Sequence, residues 1–232
     1  MIDFKTFEQA IGISFDDKKL LKQAFTHRSY LNEHEDEGLE HNERLEFLGD
    51  AVLELVVTHF LYNTFPDKPE GELTAIRAAL VNTNTISACA KEIGMNDFML
   101  LSRGESKSTG RARQYILANA FEALVGSMYL DQGYDVVRNF IEERVLSKLA
   151  EIMEKRLWED AKSHFQEVIQ EKVGVTPTYE VLTEEGPDHD KIFTVGVFVK
   201  SELVAEGRGR SKQDAEQEAA HVALNKKDWG EF

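Results

Sequence analysis

Apolar residues recur at steps of three and four from residue 4 to about residue 155, a spacing typical of α-helices that bury one face. Two polar stretches interrupt this pattern: the turn-forming PDKPEGE at residues 66–72 and a basic Gly/Ser segment before Tyr115. After Trp158 a helix is predicted over residues 161–172, followed by the alternating segments TYEVLTEE, KIFTVGVFVK and ELVAEGRG and by a helix from Ser211. The pattern predicts an all-α domain over residues 1–155 and an α+β domain of order α-β-β-β-α over residues 158–228.

Three acids interrupt the apolar run HNERLEFLGDAVLELVV at residues 41–57. If the run is helical, Glu43, Glu46 and Asp50 lie along one side of it over two turns. A solvated outer face is the ordinary explanation for acids on an amphipathic helix, but the many apolar neighbours leave little room for one. We therefore expect these acids to lie in a cleft, a metal site or an interface.

A second acidic position lies in YILANAFEALVGSMYLDQG, where Glu122 follows Asn119 by three residues and shares its helix face. Two helices packed with these faces together would gather Glu46, Asp50, Asn119 and Glu122 into an oxygen-lined pocket. Oxygen ligands suit Mg²⁺ or Mn²⁺, which could act on a phosphate. From spacing alone the alternative stays open that these are buried carboxylates that cap neighbouring backbone.

Composition narrows the class of partner. The chain has 232 residues, 42% of them hydrophobic, and a formal net charge of −15, which argues against an indiscriminate polyanion binder. Local basic clusters, RGESKSTGRAR at residues 103–113 and GRGRSK at residues 207–212, still permit phosphate contacts, although a solvated charged loop is the alternative for the first. No apolar run has the length of a membrane span and the N-terminus lacks a secretory-signal pattern, so we expect a cytoplasmic protein without a membrane partner.

The segment HNERLEFLGDAVLEL resembles the signature of the ribonuclease III family, and QAFTHRSY, PEGELTAIRAALVN and ILANAFEALVGSMYLDQG occur in the order typical of that family. The segments FQEVIQEK, GPDHDKIF and GRGRSKQDAEQEAA resemble a double-stranded-RNA-binding domain. The resemblance covers nearly the whole chain. It implies a two-domain bacterial endoribonuclease that uses Mg²⁺, with Mn²⁺ as a substitute, to hydrolyse duplex RNA to 5′-phosphate and 3′-hydroxyl ends in the processing of ribosomal and other RNA.

The resemblance also implies roles in the first domain. Asp50 and Glu122 match the catalytic positions of the family. The metal-ligand positions are matched by these two residues and by Glu46 and Asn119. The family usually carries aspartate where this chain has Asn119. An amide oxygen can still bind a cation, but one negative charge is absent.

Three further residues of the first domain match the family. Glu43 and Glu70 match positions at the edge of the catalytic valley that help to place RNA. The family works as a homodimer, and Phe47 matches an aromatic side chain that enters a socket on the partner. From sequence alone, an ordinary core phenylalanine is an equally good interpretation of Phe47.

Duplex RNA is recognised mainly by its shape, through 2′-hydroxyls in successive minor grooves and the phosphates between them. The matched RNA-binding positions are on the first helix, in the loop between the first two strands, and at the start of the last helix: Ser163, Gln166 and Glu167; His189; and Arg210, Ser211 and Lys212. Ser211 begins an S-x-x-D capping pattern, which predicts free backbone amides at a helix N-terminus for phosphate.

A rival interpretation from another class is a non-cleaving duplex-RNA-binding protein in which Asn119 marks a decayed site. The presence of Glu46, Asp50 and Glu122 argues against decay, because a degenerate site would be expected to lose several ligands. Cleavage products that depend on a divalent cation would favour the nuclease, whereas RNA binding without such products would favour the non-cleaving protein.

Overall fold

The computed structural model describes residues 2–34, 38–187 and 191–226. The chain divides into two units, Met1–Trp158 and Glu159–Phe232, and each unit has its own hydrophobic core. None of the helices in these ranges is both long and apolar enough to cross a membrane.

The first unit is helical, as the apolar spacing predicts. Its helices are α1 Phe4–Ile11, α2 Lys18–Ala24, α3 Arg28–Leu31, α4 Glu43–Thr64, α5 Glu70–Val81, α6 Thr83–Glu92, α7 Gly110–Gln132, α8 Tyr134–Arg144 and α9 Leu149–Glu154. Two boundaries differ from the prediction. Helix α5 already begins at Glu70, after Pro69 in extended backbone, and α7 begins at Gly110, so the end of the basic stretch is helical.

Helices α4 and α7 run through the middle of this unit, and their buried residues form much of its core. From α4 these include Leu45, Val52, Leu53, Val56, Val57 and Leu61, and from α7 Leu117, Phe121, Leu124, Val125 and Met128. The interpretation of Phe47 as a core residue is wrong, because 82% of it is exposed. Leu55 and Tyr62 on the same helix are exposed too, so α4 presents an apolar stripe to solvent as well as to the core.

The second unit has the predicted order of elements: α10 Ala161–Val173, β1 Thr178–Glu185, β2 Ile192–Val199, β3 Glu202–Gly209 and α11 Lys212–Asn225. The strands form one antiparallel sheet in the order β1-β2-β3, with Val197 of β2 paired to Tyr179 of β1 and Ala205 of β3. Both helices pack on one face of the sheet around Phe165, Ile169 and the alanines of α11.

Candidate active site and nucleic-acid interface

The candidate active site is built on a close crossing of α4 and α7. A Cβ atom on Gly49 would lie 1.7 Å from the carbonyl oxygen of Glu122, and one on Gly126 would lie 2.2 Å from the carbonyl oxygen of Leu45. Only glycine permits backbones to approach this closely. The crossing therefore fixes the separation and the relative register of the two helices.

The four predicted oxygen donors flank this crossing. Glu46 and Asp50 lie on α4 on either side of Gly49, and Asn119 and Glu122 lie one turn apart on α7. Glu122 interacts electrostatically with both Asp50 and Glu46, and the side chain of Asn119 acts to lower the pKa of Glu46. The structure thus brings together the four residues that the sequence assigned to one pocket.

The electrostatics of this pocket are those of crowded carboxylates. Burial, followed by the neighbouring charges of Asp50 and Glu46, raises the pKa of Glu122 to about 8. Burial and then Glu43 also raise the pKa of Glu46, while the polar side chain of Asn119 opposes that rise and Asp50 adds to it. A group with a strongly raised pKa beside like charges is typical of functional sites.

The donor set fits a divalent cation. Carboxylate and amide oxygens are the ligands that Mg²⁺ and Mn²⁺ prefer, and a cation would offset the repulsion that raises these pKa values. Within residues 2–34, 38–187 and 191–226, no group of three or more His, Cys, Asp or Glu side chains is placed so that it could hold a metal ion. The metal-ligand assignment stays a prediction, supported by the chemistry of the four side chains.

Glu43 begins α4 next to this pocket. Its carboxylate lies 3.6 Å from Nη1 of Arg28 and 3.7 Å from Nδ1 of His41. Such half-exposed pairs contribute little to stability. They do place a cationic side chain from the QAFTHRSY segment beside the acidic signature, at the edge where RNA contact is predicted.

Glu70 lies at the start of a different helix, α5. Its carboxylate accepts a hydrogen bond of 3.1 Å from the Thr74 hydroxyl. It lines an open pocket of about 460 Å³ with Lys68, Tyr62 and Arg77, among other residues. Glu70 is thus exposed and accessible, on an element separate from the α4–α7 crossing.

The predicted RNA-binding residues of α10 share its exposed side. Ser163, Gln166 and Glu167 are exposed, while Phe165 and Ile169 are buried against the sheet. The hydroxyl of Ser163 donates a hydrogen bond of 2.7 Å to the carboxylate of its N-cap, Asp160. This helix therefore presents polar side chains suited to 2′-hydroxyls.

The N-terminus of α11 has the predicted cap. The Ser211 hydroxyl accepts a hydrogen bond of 3.1 Å from the backbone amide of Asp214. Arg210 and Lys212 flank this cap and are exposed, but the Lys212 ammonium lies 3.4 Å from the carboxylate of Glu184. His189, predicted for the loop between β1 and β2, lies outside the described residues.

Sequence reasoning missed the residues that support the site. Gly49 and Gly126 set the crossing, and their signal was visible as isolated glycines inside long helical patterns. Asn42 is buried to 3% exposure, and its amide donates a hydrogen bond of 3.2 Å to the carbonyl of Ala24, which anchors the start of α4. Nothing in the apolar spacing distinguishes this asparagine from a solvent-exposed one.

Comparison with known families agrees with this geometry. The family model described as Ribonuclease-III-like matches residues 17–149, which is more than half of the chain. The chain belongs to the ribonuclease III family. A second model, described as a double-stranded RNA binding motif, matches residues 161–227. The ribonuclease III match therefore includes the whole α4–α7 crossing, and the second match includes α10, the sheet and α11.

Individual ribonuclease III relatives are similar over nearly their full length. The chain is 45% identical to the Ribonuclease 3 of Carboxydothermus hydrogenoformans over 219 residues, covering 94% of this chain and 93% of the relative. It is 45% identical to the Ribonuclease 3 of Oceanobacillus iheyensis over 224 residues, covering 97% and 98%. The solved nuclease domain of ribonuclease III from Campylobacter jejuni is 36% identical with a TM-score of 0.57, covering 64% of this chain and 97% of that one.

Proposed function

We propose that this ribonuclease III family member hydrolyses phosphodiesters in double-stranded RNA at the α4–α7 crossing, with Mg²⁺ as the cofactor and Mn²⁺ as a substitute. Its class, an endoribonuclease of double-stranded RNA, follows from the family and from the RNA-binding motif. One observation carries the assignment of the site: the partly buried carboxyl of Glu122, with a pKa of about 8, lies beside Asp50 and Glu46.

In this proposal Asp50 and Glu122 are the catalytic carboxylates, and they hold the cation together with Glu46 and the amide oxygen of Asn119. The rigid crossing at Gly49 orients them before substrate arrives. When bound, the cation supplies Lewis acidity to the phosphate and acidifies water for an in-line attack. The carboxylates contribute negative charge that a neutral pocket would not offer to the cation.

Residues of both units would contact the RNA in this proposal. We propose residues 1–155 as the catalytic domain and residues 158–228 as the RNA-binding domain. Ser163, Gln166 and Glu167 would contact one minor groove, and the capped α11 terminus with Arg210, Ser211 and Lys212 would contact phosphates. His189 would make the second minor-groove contact, and Glu43 and Glu70 would help to place RNA at the edge of the catalytic valley.

We propose a homodimer formed through the stripe on α4. Phe47, Leu55 and Tyr62 are exposed apolar side chains on one helix, and such a patch favours a protein interface. A pocket of about 620 Å³ beside Phe47 is lined in part by Leu20 and Leu130. In a two-fold dimer, each Phe47 could enter the matching pocket of the other copy. A related solved nuclease domain from Campylobacter jejuni is described with a region involved in dimer formation.

The deciding experiment is cleavage of a long RNA duplex over a Mg²⁺ and Mn²⁺ titration, alongside a gel shift in EDTA. We expect cleavage by the unaltered chain and by a control, Glu142→Gln, which lies on the exposed side of α8. Glu122→Gln should bind RNA without cutting it. If the unaltered chain binds but only Asn119→Asp cuts, the chain is a duplex-RNA-binding protein with a disabled site. Ribosomal RNA as substrate and a cytoplasmic location stay predictions.

A further inference from the structure

The two helices of the second unit are joined by a side chain that has no assigned contact with RNA. Gln217, on α11, donates a hydrogen bond of 2.7 Å from Nε2 to the carboxylate of Asp160, the N-cap of α10. Its Oε1 accepts a second hydrogen bond, of 3.3 Å, from the backbone amide of Lys162. A carboxylate only accepts and a backbone amide only donates, so a single orientation of the carboxamide satisfies both. Gln217 therefore holds the first turn of α10 at two points.

The residue before Gln217 adds a third contact between the same helices. The Lys162 ammonium donates a hydrogen bond of 2.5 Å to the carboxylate of Glu216, and it lies 4.8 Å from the centre of the Tyr179 ring on β1. Two consecutive residues of α11 thus bind two residues at the start of α10. We call Asp160, Lys162, Glu216 and Gln217 the helix clasp.

The helix clasp lies between two predicted RNA-contact regions. Ser163 follows Lys162 directly in the first turn of α10, and Ser211 caps α11 less than two turns before Gln217. The geometry of duplex RNA sets the distance from a minor-groove contact to a phosphate contact. A connection that fixes the two helix ends before RNA arrives lowers the cost of ordering them on binding.

The helix clasp also determines what Ser163 can offer to RNA. Its hydroxyl donates a hydrogen bond of 2.7 Å to one carboxylate oxygen of Asp160, while the other oxygen accepts from Gln217. A hydroxyl has one hydrogen, so Ser163 remains an acceptor for the hydrogen of an RNA 2′-hydroxyl. Without Gln217, the Asp160 carboxylate would be held from one side only and could turn together with Ser163.

We propose that Gln217 is a positioning residue for duplex-RNA binding, which acts through Asp160 to hold the minor-groove side chains of α10 in place relative to the phosphate-binding end of α11. It does so without a contact of its own with RNA. The inference rests on the RNA contacts assigned to α10 and α11 under the proposed function, and it is independent of the cation and of the cleavage reaction.

The test reverses the polarity of the bond between Gln217 and Asp160. In Gln217→Glu two carboxylates face each other. In the double variant Asp160→Asn with Gln217→Glu, the asparagine amide can donate to the glutamate, and the total charge equals that of the unaltered chain. Gln217→Met removes both hydrogen bonds of the carboxamide without adding charge. The charge controls are Asp160→Asn alone and Asn225→Asp, at the exposed C-terminal end of α11.

Affinity is measured by gel shift of the full chain in EDTA, on an RNA duplex of about 20 base pairs, longer than the roughly 16 that such a domain spans. We expect Gln217→Met to weaken binding about three- to fivefold and Gln217→Glu about tenfold, because a hydrogen bond to a charged group is lost in both and repulsion is added in the second. The double variant should return to within about twofold of the unaltered chain, and both charge controls should stay within about twofold of it. Thermal unfolding checks that every variant is folded at the assay temperature.

A purely structural role gives a different result. If Gln217→Met and Gln217→Glu bind RNA like the unaltered chain while their Tm values fall, the helix clasp only stabilises the fold and the inference is wrong. It is also wrong if the double variant binds as weakly as Gln217→Glu. An unaltered chain that does not shift the duplex would instead refute the RNA contacts of the proposed function, and the inference with them.

Discussion

Replacing Glu122 by glutamine should change how the stability of the metal-free protein depends on pH. The pKa of Glu122 rises from an ordinary value of 4.5 to about 8, first through burial and then through the charges of Asp50 and Glu46. Between these two pH values the folded protein keeps the proton while the unfolded chain releases it. The free energy of unfolding must therefore fall as pH rises from 4.5 to about 8. Glutamine is a neutral isostere and removes this contribution.

The size of the effect follows from the same pKa. A difference of about 3.5 in pKa corresponds to at most about 5 kcal/mol, at about 1.4 kcal/mol per pKa unit. Because Glu122 is only partly buried, solvent screening reduces this to about 2–3 kcal/mol. For a domain of this size that is a difference in Tm of about 4–10 °C.

The assay is thermal unfolding in EDTA at pH 5 and at pH 9. We expect Glu122→Gln and the unaltered chain to have similar Tm values at pH 5, where both side chains are neutral in the folded state. At pH 9 the glutamine variant should be more stable, and Glu142→Gln on exposed α8 should follow the unaltered chain. Parallel curves for Glu122→Gln and the unaltered chain would refute the argument that Glu122 is held protonated by its surroundings.

Three further changes test the helix crossing, the exposed stripe and the RNA-binding unit. Gly49→Ala places a methyl group against the backbone of α7 and should lower the free energy of unfolding by more than about 3 kcal/mol. The control Gly71→Ala, whose added methyl group would meet nothing within 4 Å, should be neutral or stabilising by about 0.5 kcal/mol. A small loss of stability in Gly49→Ala would argue against the close crossing. Phe47→Ala should shift the chain from dimer to monomer in sedimentation while leaving its helical circular dichroism intact, and an unchanged dimer would exclude Phe47 from the interface. Glu184→Gln removes the carboxylate beside the Lys212 ammonium and should tighten duplex-RNA binding about two- to threefold at low salt. The gain should disappear at high salt, and the control Glu180→Gln, at an exposed position, should bind RNA like the unaltered chain.

Local pattern was sufficient for the elements of this fold. The step of three and four residues predicts helices wherever one face is buried. The change to alternation after Trp158 predicts β1 and β3 at their observed bounds and β2 to within one residue at each end. The S-x-x-D pattern likewise predicts the cap on α11, because capping involves only neighbouring residues. The boundaries at Glu70 and Gly110 were predicted wrongly, because proline and glycine are compatible with a helix start as well as with a turn.

The identity of the candidate site could also be predicted, but its physical state could not. The sequence determined which oxygen donors are present and that Glu46, Asp50, Asn119 and Glu122 occupy matching faces of two helices. Only the tertiary structure decided that the helices touch at Gly49 and that Glu122 is held with a raised pKa beside Asp50 and Glu46. These properties depend on distances between side chains on different helices, which a one-dimensional pattern does not contain.

Burial shows the same division between sequence and structure. The sequence alone determined that α4 carries many apolar residues beside the acidic stripe of Glu43, Glu46 and Asp50, but not which of them are buried. The packing of α4 on its neighbours covers Leu53 and Val57 and leaves Phe47 exposed on the same helix. Hydrophobicity determines how favourable burial is, whereas the placement of the other helices determines which apolar residues are buried and which stay exposed.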